Sequence, residues 1–205
     1  MSIGSSSFHG LPVNKRHQGH KPPAHWPKHL RYLASSVFHT SVSTILRTHI
    51  GRTLDANKDF SYENAKHPKV VIRPIATDLH PAKGQFGLFA AQRIPPKTHI
   101  LDYIGELHCD DRPDSNYDLC LCRLPDGVSV GIDASTMGNE ARFVNDYRGI
   151  RGKPNAIFLD GRTPAGELRM SVWSSSEDIK KGEEILVSYG KSWWRSRVPE
   201  NILEA

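Results

Sequence analysis

Cysteine is scarce in this 205-residue chain, with three in all, long apolar runs are absent, and no acidic residue precedes Asp55. An odd, small number of cysteines cannot close a disulfide framework without a leftover thiol, so a reducing intracellular compartment is the default. The longest uninterrupted apolar runs, such as Ala156 to Leu159, fall far below the roughly 18 residues a membrane-spanning helix needs, and no span is expected. The length predicts one globular domain with an extension rather than a large multidomain enzyme.

Charge is distributed unevenly. Residues 1–73 carry 11 Lys/Arg against 3 Asp/Glu, whereas residues 74–205 carry 16 against 19, so the basic character belongs to the N-terminal third. Eight of the 11 histidines lie there too, which makes residues 1–66 a basic His/Lys/Pro-rich arm attracted to polyanions, nucleosomal DNA among them, in a non-specific and salt-sensitive way. Prolines at 12, 22, 23 and 27 interrupt any apolar period in its first part. From Leu30 to Ile50, Leu30, Leu33, Val37, Val42, Ile45 and Leu46 recur at mostly helical intervals and predict one or two short amphipathic helices. An acid-free N-terminus is also compatible with an organelle transit peptide, although Lys, His and Pro are more abundant than such helices tolerate. His17 and His20, then His25 and His29, have metal-compatible spacings. The prolines and the missing acidic ligands argue instead for a solvated arm, and no metal is expected.

Past Pro68 the texture changes to strand-sized runs rich in β-branched and aromatic residues: 69–75, 87–91, 99–107, 117–124, 128–132, 156–159, 168–173 and 184–189. Pro125-Asp126-Gly127 predicts a hairpin, because proline presets its own φ and glycine accepts the positive φ that follows. Only Met137 to Val144 and the surroundings of Trp193 are helix-compatible, so the core should be mainly β, with small helical insertions.

Within this region stands Lys83-Gly84-Gln85-Phe86-Gly87-Leu88-Phe89-Ala90, where closely spaced glycines let backbone turn sharply or approach a ligand. A dinucleotide-binding reading fails, since Pro95-Pro96 interrupts the long helix it would require. Four elements follow in order: Tyr103-Ile104-Gly105-Glu106, Tyr117, Ala141-Arg142-Phe143-Val144-Asn145-Asp146, and Gly182-Glu183-Glu184-Ile185-Leu186-Val187-Ser188-Tyr189-Gly190.

This series resembles the SET-domain protein-lysine methyltransferases, with their Gly-rich turn, Y-x-G-E strand end, R-F-x-N-H motif and G-E-E-L-x-x-D-Y-G motif. The resemblance covers about Val70 to Trp194. It implies a SET-domain fold of short β-sheets (α+β, mainly β) at residues 67–192, whose C-terminal motif threads beneath a loop as a pseudoknot, with a short tail from 193. It further implies methyl transfer from S-adenosylmethionine to a lysine amine of a histone or other basic protein. Tyr189 and Tyr103 would then be the catalytic pair. Gly84, Gln85, Phe86, Gly87, Tyr117, Asn145, Asp146 and one of Trp193 and Trp194 would contact the cofactor. Tyr103, Tyr117 and Tyr189 would line the lysine channel, where aromatic walls exclude water and suit an aliphatic stem with a cationic end.

Departures from the pattern are local. Asp146 stands where the family has histidine, Tyr147-Arg148 where Ser-Cys would follow, and Ser188 where aspartate precedes the tyrosine. No cysteine cluster flanks the domain, so no structural zinc is expected, and the arm and tail are left to complete the channel. Arg142 is expected to pair with a buried carboxylate such as Glu106 or Glu183. The competing readings are a catalytically silent SET-like module that holds a lysine on chromatin, and a nucleic-acid-binding protein acting through its arm. The nucleus is favoured over the cytoplasm, with an organelle as a further alternative, although Lys15-Arg16 is too sparse for an import signal.

Overall fold

The computed structural model describes residues 21–51, 68–190 and 193–194. His17, His20, Lys15-Arg16 and most of the arm and tail therefore lie outside the described residues.

Thirteen short strands, one α-helix and one 3-10 turn alternate along the described chain: β1 (Arg31–Tyr32), β2 (Val37–Phe38), α1 (Thr44–Ile50), β3 (Val70–Pro74), β4 (Phe86–Ala90), β5 (His99–Asp102), β6 (Glu106–His108), β7 (Asp118–Arg123), β8 (Ser129–Asp133), β9 (Met137–Gly138), the 3-10 turn Glu140–Phe143, β10 (Asn145–Asp146), β11 (Ala156–Arg162), β12 (Leu168–Ser174) and β13 (Leu186–Val187). The larger sheets run β2-β6-β8-β7 and β11-β12-β5, and pairs β1-β9, β3-β4 and β10-β13 complete the set. The Pro125 hairpin forms as expected. Gly127 has φ +89°, Leu124 N donates to Val128 O at 2.8 Å, and the Asp126 carboxylate accepts from Val128 N.

Two expectations are corrected. Of residues 30–50 only Thr44–Ile50 is α-helical, capped by Ser43, whose Oγ accepts from Leu46 N. The preceding residues instead join open sheet edges: Arg31-Tyr32 pairs in parallel with Met137-Gly138, and Val37-Phe38 with Glu106-Leu107. Those edges satisfy backbone groups that a helix would have satisfied internally, and the helical spacing of Leu30, Leu33 and Val37 yields to them. The 99–107 run divides into β5 and β6 at Tyr103-Ile104-Gly105, because Gly105 lies against the Asp133 carbonyl where no Cβ fits. The small helical insertion expected at Met137–Val144 is present as a single 3-10 turn, preceded by a two-residue strand. Asn139 fixes that turn, accepting from Ala141 N and Ile104 N and donating to Asp102 O.

Ile72, Leu88, Ile94, Ile100, Ile132, Val172, Ile179 and Ile185 are fully buried and draw on most of the sheets, which makes one continuous core. Each contributes ~1.5–3 kcal/mol by leaving water. The final motif is locked into this core from two sides. β13 lies parallel to β10, with Asn145 opposite Leu186, while Ile185 N donates to Leu88 O of β4. Asn155 stitches the crossing by accepting from Leu186 N and donating to Glu184 O. This is the threaded C-terminal segment expected of the fold.

Two carboxylates at strand ends are held below their ordinary pKa. Burial alone would raise Asp102, but hydrogen bonds from His99, Ser171 and Arg169 outweigh it. Burial is likewise overcome at Asp133 by Ser115, the Ser135 backbone, Arg112 and the Ser135 hydroxyl. A depressed folded pKa adds stability above the unfolded value, ~3.9, and that stability is lost as pH falls through and below it. The melting temperature should therefore drop steeply below about pH 4, and Asp102→Asn should be less stable at neutral pH with a shallower acid decline. Identical acid slopes in wild type and variant would contradict this.

Candidate active site

Gly84, at φ +81°, turns the chain into β4. Its N–H donates to Ile75 O, and this tight return sets Gln85 and Phe86 on one wall of a cleft of about 510 Å³. The facing wall is β10, which presents Asn145 and Asp146. Because β13 runs parallel to β10, the chain leaving it brings Tyr189 alongside, and Tyr189 N donates to the Asp146 carboxylate at 2.8 Å.

Asn145 ties the walls together, its Nδ2 donating to Phe86 O at 3.3 Å and to Glu184 Oε1 at 2.8 Å. Glu184 Oε2 lies 2.9 Å from His80 Nε2. Ala82 N donates to His80 Nδ1, so the proton sits on Nε2, which donates to Glu184. A Cβ at Gly87 would come within 2.5 Å of Glu184 Oε1, so the second glycine of the turn is what admits this carboxylate.

A second, much narrower opening of about 20 Å³ adjoins the cleft and is lined by Tyr103, Leu119, Val144 and Phe158 together with Asn116, Tyr117, Arg142, Tyr189 and Trp193. The last five also line the cleft, so the two spaces meet there. The Tyr189 hydroxyl donates to Val144 O at 2.8 Å and the Tyr103 hydroxyl to Tyr117 O at 2.7 Å. Phe158 meets the Tyr103 ring edge-on at 5.9 Å. Burial pushes both phenols above their ordinary pKa; the charge of Asp146 adds to this at Tyr189, and interaction with Tyr189 adds to it at Tyr103. Both hydroxyls stay protonated at neutral pH.

Arg142 does not pair with Glu106 or Glu183 as expected. Glu106 is held by Arg112 at 2.9 Å, while Arg142 Nε donates to Ala134 O at 2.9 Å and its guanidinium lies 4.1 Å over the Tyr117 ring. Backbone carbonyls and aromatic faces supply the partners that a carboxylate was expected to supply. Burial lowers the Arg142 pKa somewhat from its high ordinary value, and the group remains a cation.

Of the residues singled out from sequence, Gln85, Phe86, Tyr117, Asn145, Asp146, Tyr189, Trp193 and Trp194 line the cleft, and Tyr103 joins Tyr117 and Tyr189 at the narrow opening. Gly84 and Gly87 shape the turn behind the wall. Sequence reasoning missed the lining residues His80, Arg148, Asn116 and Phe158 and the bracing Glu184, and the arm, expected to complete the channel, instead contributes Pro27, His29 and Leu30 as a wall of the cleft. That wall is anchored by Trp26, whose ring meets Tyr32 at 5.1 Å and Phe143 at 5.6 Å and whose Nε1 donates to Leu30 O. Glu184 lay within a quoted motif and offered a signal; Pro27 and His29, in a proline-rich stretch, offered none. Among the described residues no group of three His, Cys, Asp or Glu could hold a metal ion, all three cysteines are free thiols, and no helix is long and apolar enough to cross a membrane.

Fold and site together define a mainly β protein with a two-ended site, a ligand-sized cleft joined to a narrow aromatic slot. The chain belongs to the SET-domain family, which it matches over residues 85–190. It is 33% identical over 115 residues to the human histone-lysine N-methyltransferase EHMT1, a stretch covering 53% of this chain and 8% of that protein. It is also 33% identical over 148 residues to the Caenorhabditis elegans histone-lysine N-methyltransferase set-2, covering 66% of this chain and 9% of that one. The chain thus spans less than a tenth of the length of either relative. The crystal structure of ATXR5 in complex with histone H3.1 mono-methylated on R26 superposes with a TM-score of 0.56 at 17% identity, over 80% of this chain and 82% of that one, and shows the same fold.

Proposed function

We propose that this chain is an S-adenosylmethionine-dependent protein-lysine N-methyltransferase acting on a histone or another basic protein. The observation that carries the proposal is the meeting of cleft and slot at Tyr189, Tyr117 and Arg142, which allows one reactant to approach from each side. The cleft fits the cofactor in size, since ligand pockets typically occupy ~300–1,000 Å³. Its aromatic walls and few convergent polar groups suit a nucleoside with an amino-acid tail. Gln85, Phe86, Asn145 and Asp146 would hold the methionine and adenine edges, with Trp193 or Trp194 against the base. The cofactor supplies a methyl group on a positively charged sulfur.

The protein's part is largely positioning. Tyr103, Tyr117 and Phe158 keep water from the slot, so a lysine amine entering it is desolvated and its pKa falls toward the neutral, nucleophilic form. The Arg142 cation at the junction acts in the same direction. Neither tyrosine serves as a base, since both phenols are held protonated, and the amine's proton leaves to solvent. Tyr189 donates its own proton to Val144 O, which leaves its oxygen lone pairs available, and these would align the amine beside the cofactor's methyl group.

The exposed Lys21, Lys28 and Arg31 extend the basic character of the arm beside the cleft's N-terminal wall, which supports a salt-sensitive contact with nucleosomal DNA and a nuclear location. Calorimetric titration with S-adenosylmethionine tests the proposal: one molecule should bind per chain. Removal of residues 1–40 should weaken binding roughly tenfold or more by deleting the Pro27–Leu30 wall, with the remaining cleft still binding residually. No binding by the full chain would refute the proposal.

A further inference from the structure

We propose that Asp146 and Arg148 form an ion-pair latch that holds Trp194, and through it Trp193, at the mouth of the cleft, which makes Arg148 a positioning residue for the bound cofactor. The identity of the ligand rests on the methyltransferase proposal; the latch itself does not.

Asp146 is buried, 7% exposed, and its carboxylate receives four hydrogen bonds from three residues, Arg148, Tyr189 and Trp194. Oδ1 accepts from Arg148 N at 2.9 Å, and Oδ2 accepts from Arg148 Nη1 at 2.7 Å, Tyr189 N at 2.8 Å and Trp194 Nε1 at 3.3 Å. The Arg148 guanidinium lies 5.0 Å from the Tyr147 ring and 5.6 Å from that of Trp194. Trp194 meets Trp193 edge-on at 5.1 Å, and Trp193 meets Tyr189 at 4.8 Å. A single carboxylate therefore organises the turn after β10, the backbone at Tyr189 and the aromatic pair beyond it.

An imidazole offers at most one acceptor nitrogen and could not receive these four donors. The two departures from the family motif, Asp146 for histidine and Arg148 for cysteine, are thus one coupled change. The introduced acid is neutralised by the introduced base, and together they recruit an indole N–H. The ion pair also means that Asp146 presents no uncompensated negative charge to the cleft. Because the Arg148 side chain is 36% exposed, the ion pair is open to screening, and the latch should loosen as ionic strength rises.

The test uses the full chain labelled with 5-fluorotryptophan, the Trp194 resonance being assigned by its loss in Trp194→Phe. In the cofactor-free protein Arg148→Ala should move that resonance to a solvent-exposed position, and Arg148→Lys should restore part of the shift, since only one side-chain hydrogen bond is needed. By calorimetry with S-adenosylhomocysteine, Arg148→Ala should bind roughly tenfold more weakly. Its kcat at saturating cofactor should change much less than its affinity. Raising salt from about 50 mM to about 500 mM should shift the wild-type resonance toward the Arg148→Ala position and leave the variant unmoved. A Trp194 resonance that stays in place in Arg148→Ala overturns the latch, and release of Trp194 with affinity unchanged within twofold overturns its role in cofactor binding. If S-adenosylhomocysteine binds neither protein, the methyltransferase proposal fails, while the resonance in the cofactor-free protein still decides the latch.

Discussion

Replacing Tyr189 with phenylalanine should lower kcat for methyl transfer by about a hundredfold while leaving cofactor affinity within about threefold. The substitution keeps the ring, which is held edge-on by Trp193 at 4.8 Å, and keeps the backbone N–H that donates to Asp146. What it removes is the hydroxyl that donates to Val144 O at the junction of cleft and slot. The Val144 carbonyl loses a partner, at a cost of ~1–3 kcal/mol of stability, which a thermal melt would register without unfolding the domain. The larger consequence is positional. On the proposed mechanism the lost oxygen is the group that would hold the amine in line with the transferring methyl, and small misplacements of reacting atoms cost large factors in rate. A variant with wild-type kcat would show that alignment resides elsewhere, Tyr103 being the alternative hydroxyl in the slot.

Asn145→Ala should act on binding before chemistry, weakening cofactor affinity by roughly 10- to 100-fold. Its amide joins Phe86 O on the glycine-turn wall to Glu184 on the final motif. Truncation leaves Glu184, a mostly buried carboxylate whose side chain is 8% exposed, with His80 as its remaining side-chain partner, and leaves the two walls untied. The accompanying loss of stability should be ~1–3 kcal/mol, that of buried polar groups deprived of partners. Calorimetry and a melt on the same preparation separate the two effects. Unchanged affinity in a destabilised protein would mean that the Asn145 amide braces the fold without shaping the cleft.

Much of the strand framework was legible because it is locally encoded. The Pro125-Asp126-Gly127 hairpin, β3 and β4 on either side of the glycine turn, and the β11–β12 pair all carry alternating or β-branched runs bounded by turn residues. The site was legible where a motif carries it: Asn145 and Tyr189 stand far apart in sequence but both line the cleft because β10 and β13 pair. What escaped was long-range and parallel. Nothing in the spacing of Leu30, Leu33 and Val37 tells a strand added to a distant edge from a helix, since the partner edges, Met137-Gly138 and Glu106-Leu107, lie about a hundred and about seventy residues away. The Pro27–Leu30 wall escaped for the same reason, depending on Trp26 finding Phe143 across the fold. Arg142 was misassigned because carbonyl and ring partners leave no charge pattern in a sequence.

The most direct measurement is transfer of labelled methyl from S-adenosylmethionine to a mixed panel of histones and whole-cell proteins, with the modified atom located by mass spectrometry, in wild type and Tyr189→Phe. Label on a lysine side-chain nitrogen of a basic protein, falling about a hundredfold in the variant, is the predicted result. Cofactor bound without lysine labelling by any protein of the panel, or equal labelling by both proteins, would contradict the assignment of Tyr189 and its slot as the place where methyl meets amine.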